Sequence, residues 1–338
     1  MSTQATLADV ATMAGVSLAT ASRALSPTKA QSVGAELRAR VRAAAAELSY
    51  APNAHAQAMR SPLTTVGLIV HDIGDPVGAA IASGVLAAAA RRNLIVTIGA
   101  SGSDAEAEVR LVEALRRQRA KALILAGSRF TDSPAERWLA DEIAAVQAGG
   151  GRVVTIGQAL PGTDAVVVDN VGGAADLANT LWDRGYRQFA LLAGPEDLAT
   201  SELRVVGFRD ALAVHGYQVP EENVLASQLS RDGGYIAMRE LLESQLEADC
   251  VFAVDDSMAM GAVAALRDSG HSANEFGLAG FGDIAALRDV VPGLTTVRLP
   301  LADMGELAFD LAFDAQPEPQ VRTVTGTVVV RASTPGLC

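Results

Sequence analysis

The sequence predicts a two-part chain: a small all-α head followed by a long α/β body of open, doubly wound parallel sheets. Three observations carry the prediction. Apolar residues between 7 and 48 recur only at helical spacing. From Thr65 onward, short apolar runs alternate with Ala-rich stretches of helical period. Charge divides at the same place. Residues 1–60 carry six basic residues (Arg23, Lys29, Arg38, Arg40, Arg42, Arg60) and three acidic ones (Asp9, Glu36, Glu47). The net charge of the 338 residues is −12, which leaves −15 on the body once that +3 is taken off.

The first helix is predicted over Leu7–Ala14, where Leu7, Val10, Ala11 and Ala14 share one face. Gly15 supplies the left-handed residue that commonly ends a helix. Ser17 is the predicted N-cap of a second helix, Leu18–Leu25, because its hydroxyl accepts from a free backbone N–H. Ala21, Ala24 and Leu25 form the second apolar face, Val16 is the plug between the helices, and small Ala11 and Ala21 permit close approach. Two short helices joined in this way make a helix-turn-helix pattern. Such a unit lays its second helix in the DNA major groove, first residues against the base edges. Leu18, Ala19 and Ser22 fall on the exposed side, and Arg23 is placed for a bidentate contact to guanine. A plain helical hairpin with a surface arginine is the rival reading.

A loop over 26–33 leads to a third helix, Ala35–Leu48, striped by Leu37, Val41, Ala44, Ala45 and Leu48. Arg38, Arg40 and Arg42 occupy its other faces, some in reach of phosphates. Residues 50–60, YAPNAHAQAMR, suit a short helix with Pro52 in its first turn. That helix has almost no apolar face and is expected to fold only against a partner.

In the body, strands are predicted at VGLIV (66–70), LIVTIGA (94–100), ALILAG (122–127) and VVTIG (153–157). Helices are predicted between them at 78–92, 104–119 and 135–149, the last ending in the turn Gly149–Gly151. A second series has helices at 172–185, 201–216, 232–244 and 256–269 and strands at 188–194, 250–254 and 276–281. The alternation implies right-handed βαβ units. Ligands in such sheets lie beyond the C-terminal strand ends, and two such domains face each other across a cleft. Residues 301–313 read as a helix and 321–331 as one extended strand, returning to complete both sheets.

DVATMAGVSLATASRAL, followed by RARVRAAAAELSYAPN, resembles the head of the lac repressor family (LacI/GalR transcriptional regulators). VGLIVHDIGDP, VVVDN, RGYRQFALLAGP, VDDSMAMGAVAAL, LAGFGDIAAL and GLTTVRLPLADMG extend the resemblance over essentially the whole chain. It implies a helix-turn-helix DNA-binding domain over 1–49, a hinge helix over 50–61, and a periplasmic-binding-protein-like effector-binding and dimerisation domain over 62–338. The N-lobe of that domain would comprise about 62–167 and 301–323, the C-lobe about 168–298 and 324–333. Hinge helices of two subunits would pair in the minor groove, with Met59 where the family usually has a Leu lever; apolar wedges of this kind kink a duplex. The implied DNA-contacting set is Thr6, Ser17, Leu18, Ala19, Thr20, Ser22, Arg23, Asn53, Gln57 and Met59. Gly34 departs from the family's usual Ser cap.

The resemblance also implies an effector site between the lobes, with Asp72, Asp75, Arg204, Asp255 and Asp283. Arg204, in SELRVVGF, stands at the effector-binding arginine, whose fork suits vicinal hydroxyls or a carboxylate. Asp255 replaces a ligand-contacting Asn and, when ionised, only accepts. Gly282 replaces the first Asp of the family's usual pair and Asp283 keeps the second. Leu299 stands where a ligand-facing Gln is common, and Val77-Gly78 replace two aromatics after Pro76. These changes argue against a standard hexose held in the usual way. A sugar acid, a polyol and a nucleoside remain open, since Arg204 suits a carboxylate and Asp255 opposes one.

Other classes find less support. Ser257 lacks an elbow motif and G-x-S-x-G is absent. The four histidines (His55, His71, His215, His271) have no metal-ligand spacing, though His71 ends the first body strand near the expected cleft. Cys250 reads as a small buried hydrophobe, and with Cys338 it makes no disulfide framework. No leader is evident and no run reaches ~18 apolar residues. The expectation is therefore a cytoplasmic, non-enzymatic regulator without cofactor, metal or membrane. It would be a homodimer or tetramer, most plainly a repressor, reading a palindromic operator in double-stranded DNA under control of a small sugar-like effector. A phosphorylated metabolite or a protein corepressor is the alternative effector; a solute-binding protein is the alternative role for the body.

Overall fold

The computed structural model describes residues 5–25, 32–50, 65–102, 104–131, 134–244, 246–271, 275–314, 316 and 318–337. The chain divides into two compact units, Met1–Leu63 and Thr64–Cys338. The hinge segment expected over 50–61, with Asn53, Gln57 and Met59, lies outside the described residues except for Tyr50.

The head consists of α1 (Leu7–Met13), α2 (Leu18–Leu25) and α3 (Ala35–Glu47). Gly15 makes the turn after α1 with φ +60°. Ser17 Oγ accepts the Thr20 N–H at 3.2 Å, which caps α2. Val10, Ala11, Ala14, Ala21, Ala24, Val33, Val41, Ala44 and Ala45 form one buried cluster. Small residues dominate it, so three short helices can approach closely enough to close a core. The stripe on α3 is narrower than the sequence predicts. Leu37 is exposed, and Val33, just before the helix, fills the core instead. Gly34 caps α3 without a side-chain bond.

The body opens with β1 (Thr65–Val70), α4 (Pro76–Arg91), β2 (Ile95–Ala100), α5 (Ala105–Arg117), β3 (Ala122–Gly127), α6 (Ala135–Ala148), β4 (Arg152–Gly157) and β5 (Asp164–Val168). It continues with α7 (Asn170–Asp183), β6 (Phe189–Ala193), α8 (Ala199–Val214), β7 (Val224–Ala226), α9 (Arg231–Glu243), β8 (Cys250–Ala253), α10 (Asp256–Asp268) and β9 (Gly277–Gly282). It ends with β10 (Thr295–Arg298), α11 (Leu301–Phe313), β11 (Val321–Val324) and β12 (Thr327–Val329). The first sheet, β11-β5-β4-β3-β1-β2, is parallel throughout. The second, β12-β10-β9-β8-β6-β7, is parallel apart from the antiparallel β10–β12 pair.

Two expectations change. Residues 321–331 are not one strand. β11 pairs with β5 in the first sheet and β12 with β10 in the second, with Gly326 at the crossing against Val297. The chain therefore passes between lobes after β5, β10 and β11. β5, β7 and β10 are strands that the run-by-run reading leaves out. They are three to five residues long and complete sheets whose other strands supply most of the apolar signal.

Helices pair closely over the sheets through glycine. A Cβ on Gly84 of α4 would overlap the Ala302 carbonyl of α11, and one on Gly305 would overlap Ile81. Gly207 of α8 meets Val171 of α7, and Gly234 of α9 meets Met258 of α10 in the same way. Cys250 is fully buried. Among the described residues no helix is long and apolar enough to cross a membrane.

Candidate functional site

Four segments follow the C-terminal ends of body strands: 71–75 after β1, 128–131 after β3, 254–256 after β8 and 282–283 at the end of β9. Helix α8 adds Arg204, and α7 begins with Asn170. Arg204 is 6% exposed. Its Nε–H donates to Asn170 Oδ1 at 2.9 Å, and Nη1 donates to the Val254 carbonyl at 2.6 Å. The guanidinium lies over the Phe281 ring at 3.9 Å from the centroid, and Nη1 is 4.0 Å from Asp255 Oδ2. Burial pushes the guanidinium pKa down to about 10, against the pull of Asp255 and Asp256, so it stays charged at neutral pH.

Asp255 caps α10, its Oδ1 accepting the Ser257 N–H at 2.7 Å. Burial raises its pKa; Arg204 draws it down, and the negative charge of Asp75 raises it further. That last influence places a first-lobe carboxylate within electrostatic reach of a second-lobe one. Asp75 itself caps α4, accepting from Val77 and Gly78 N–H at 3.3 and 3.0 Å. Asp72 is exposed and accepts from Gly74 N–H at 2.8 Å.

Asp256 has no exposure. It accepts from Thr296 Oγ1 at 2.6 Å and from Ile284 N–H at 3.0 Å, tying β9 and β10 to the start of α10. Burial raises its pKa to about 7. Asp283 takes hydrogen bonds from Arg298 Nε and Arg331 Nη2. Burial alone would raise its pKa, but these two guanidinium groups outweigh it and hold the carboxyl below its ordinary value. Gly282 has φ +137°, a conformation that side chains rarely adopt, and this gives the Gly-Asp pair a backbone reason as well as a pocket one. Leu299 is buried.

The expected site residues thus divide. Arg204 and Asp255 approach each other, and Asp75 acts on Asp255 electrostatically; Asp72 is exposed; the Asp283 carboxylate is committed to two arginines. Asn170, Phe281, Arg298 and Arg331 were not singled out in the sequence. Asn170 and Phe281 lie in the quoted motifs VVVDN and LAGFGD, but their partnership with Arg204 joins residues far apart in the chain. His71 packs its ring on Gly127, and burial lowers its pKa against the pull of Glu108. Beside it, Arg129 holds Glu108 through two hydrogen bonds of 2.7 and 3.1 Å, each side chain 11% exposed.

In the head, Leu18, Ala19 and Arg23 form an exposed face of α2, with Ser22 half-buried. Arg23 Nε donates back to the Ala19 carbonyl at 3.3 Å. Ser17 and Thr20 hydroxyls bond each other at 2.9 Å. Thr6 caps α1 in a reciprocal bond with Asp9, whose pKa these bonds lower.

Residues 6–53 match the family described as bacterial regulatory proteins, lacI family, and residues 63–312 match periplasmic binding proteins and sugar binding domain of LacI family. The chain is 35% identical to the HTH-type transcriptional regulator GalS of Salmonella typhimurium, over 91% of this chain and 88% of that protein. It is 33% identical to the HTH-type transcriptional regulator GalR of Escherichia coli, over 98% of this chain and 97% of that protein. The crystal structure of the lac repressor dimer bound to operator and the anti-inducer ONPF shares the fold with a TM-score of 0.81 at 23% identity, covering 98% of this chain and all of that one.

Proposed function

The chain belongs to the lacI family of bacterial regulatory proteins, and from that membership we propose that it is a repressor whose DNA binding is set by a small hydroxyl-rich effector held between the two lobes of its body. The observation that supports the DNA half is the exposed α2 face of Leu18, Ala19 and Arg23, opposite the side that Ala21 and Ala24 bury in the head's core. Arg23 and Ser22 read base edges, Leu18 and Ala19 read thymine methyls or shape, and Thr6, Ser17 and Thr20 fix the frame at phosphates. Asn53, Gln57 and Met59 belong to the hinge of this reading. Two heads from a homodimer read the halves of a palindromic operator, in the cytoplasm where the DNA is.

The effector half rests on Arg204 and Asp255, with Asp75 opposite and Asp72 at the rim. Asp283 takes part through the two arginines it holds. The commitments of Arg204 to Asn170, Val254, Phe281 and Asp255 leave it a poor partner for a second carboxylate. This favours hydroxyl donors, as in a neutral sugar, a polyol or a nucleoside, over a sugar acid. The ligand shifts DNA affinity only by its differential affinity for the two body conformations.

The test uses the full chain. Selection from random duplex DNA defines the operator, and calorimetry against sugars, polyols, sugar acids, nucleosides and phosphorylated sugars defines the effector. Arg23→Ala is expected to abolish sequence preference and keep ligand binding; Arg204→Ala is expected to do the reverse. A folded variant that lost both would sink this division of labour. A response only to phosphorylated sugars or sugar acids would overturn the effector class.

A further inference from the structure

Helix α8, which carries Arg204, begins without a cap of its own. Leu198 stands at its N-cap and makes no side-chain bond. The first N–H groups of a helix need outside partners, and here the other lobe supplies them. Ala199 N–H donates to the Arg129 carbonyl at 3.0 Å. Thr200 N–H donates to Ser128 Oγ at 3.0 Å. Phe130 and Leu198 form an antiparallel bridge, and Thr131 N–H donates to the Asp197 carbonyl at 2.7 Å. Gln158, just past β4, accepts the Arg129 N–H at 3.0 Å and donates to Thr200 Oγ1 at 3.2 Å. The ends of β3 and β4 in the first lobe therefore grip the start of a second-lobe helix.

The grip is itself braced. Arg129 is pinned to Glu108 of α5 by two hydrogen bonds, and Gly127 lies under the His71 ring. Thr200 and Arg204 are four residues apart, one turn along the same face of α8. We propose that Ser128 and Gln158 are positioning residues for Arg204: the first lobe caps the helix that carries it, so the approach of the two lobes sets that arginine. The inference rests on the proposed role of Arg204 in effector binding. It has a reciprocal consequence. A ligand that strengthens the cap binds more tightly when the cap is made, and the same coupling acts in both directions.

The experiment needs no ligand. Hydrogen exchange of backbone amides and of the Arg204 Nε–H is followed by NMR in the full chain and in Ser128→Ala, Ser128→Thr and Gln158→Ala. Loss of the cap acceptor in Ser128→Ala is expected to speed exchange at Thr200 roughly fivefold, the usual weight of one such bond. The Arg204 Nε–H, bonded to Asn170, should speed with it, and so it should in Gln158→Ala. Amides of α9 and α10 should not change, and Ser128→Thr, which keeps the hydroxyl, should restore both rates. Unchanged exchange at Thr200 would show that the first lobe does not cap α8 in solution. Faster Thr200 with unchanged Arg204 would make the cap merely local. A uniform rise across the body would mark general destabilisation and equally overturn the proposal. The separate reading of Arg204 as an effector contact fails on its own terms, if Arg204→Ala binds ligand normally while Ser128→Ala still loosens the arginine.

Discussion

At the scale of single residues, burial decides what each carboxylate does. Asp256 and Asp283 are neighbours of one site with opposite pKa shifts, because one is sealed from solvent and the other is clasped by two arginines. Asp256 has an ordinary value of 3.8 and a folded value of about 7. Between those values the folded chain keeps a proton that the unfolded chain releases. Its contribution to stability is therefore full below about 3.8 and falls as pH rises to about 7. Asp283 acts in the other sense, its stabilisation being lost as acid protonates it. Urea unfolding of Asp256→Asn between pH 4 and 8 is expected to show a flatter decline than the unaltered chain. An equal slope would mean that Asp256 does not carry the proton. In the sequence, Arg204 and Asp255 were legible as candidates because each stands in a recognisable motif. The engagement of Asp283 by Arg298 and Arg331 was not, since it joins three segments that only the sheet brings together.

At the scale of elements, most boundaries were readable because caps and apolar spacing coincide. α2 over Leu18–Leu25, β3 over 122–127 and α11 over 301–313 stand where the sequence puts them. The short strands β7 and β10 were not readable, since three or four residues carry no period. The helix pairs add a constraint that periodicity hides. Gly84→Ala gains about 1 kcal/mol of helix propensity but forces α4 away from Ala302, and overpacking of this kind costs about 1–3 kcal/mol. A net loss of stability is expected, read as a lower urea midpoint; an unchanged midpoint would show that α4 and α11 slide apart freely. In the head, Ser17→Ala removes the acceptor that caps α2 and is expected to cost about 1 kcal/mol. Thermal unfolding of the head transition, followed by circular dichroism, checks it.

For the whole molecule, charge and compactness divide the labour. With +3 on the head and −15 on the body, attraction for DNA is confined to the head. Operator affinity is expected to fall by about a thousandfold or more between 50 and 200 mM salt, as when roughly six or more phosphates are contacted. Anisotropy titrations across that range test it, and a shallow slope would count against two heads on one operator. Effector binding at the buried Arg204, as proposed, is expected to vary little over the same range.

The helices, the longer strands and the class of each part were legible in the sequence, because helix caps, apolar period and charge are local properties of the chain; β5, β7, β10 and the division of 321–331 were not. It also marked Arg204 and Asp255 as residues to examine. How they are held depends on the fold. The partners of Arg204 come from positions 170, 254, 255 and 281, and the cap of its helix comes from positions 128 and 129 on the other lobe. A hydrogen bond between distant segments depends on where three crossings of the chain place two sheets, and no local spacing encodes that distance.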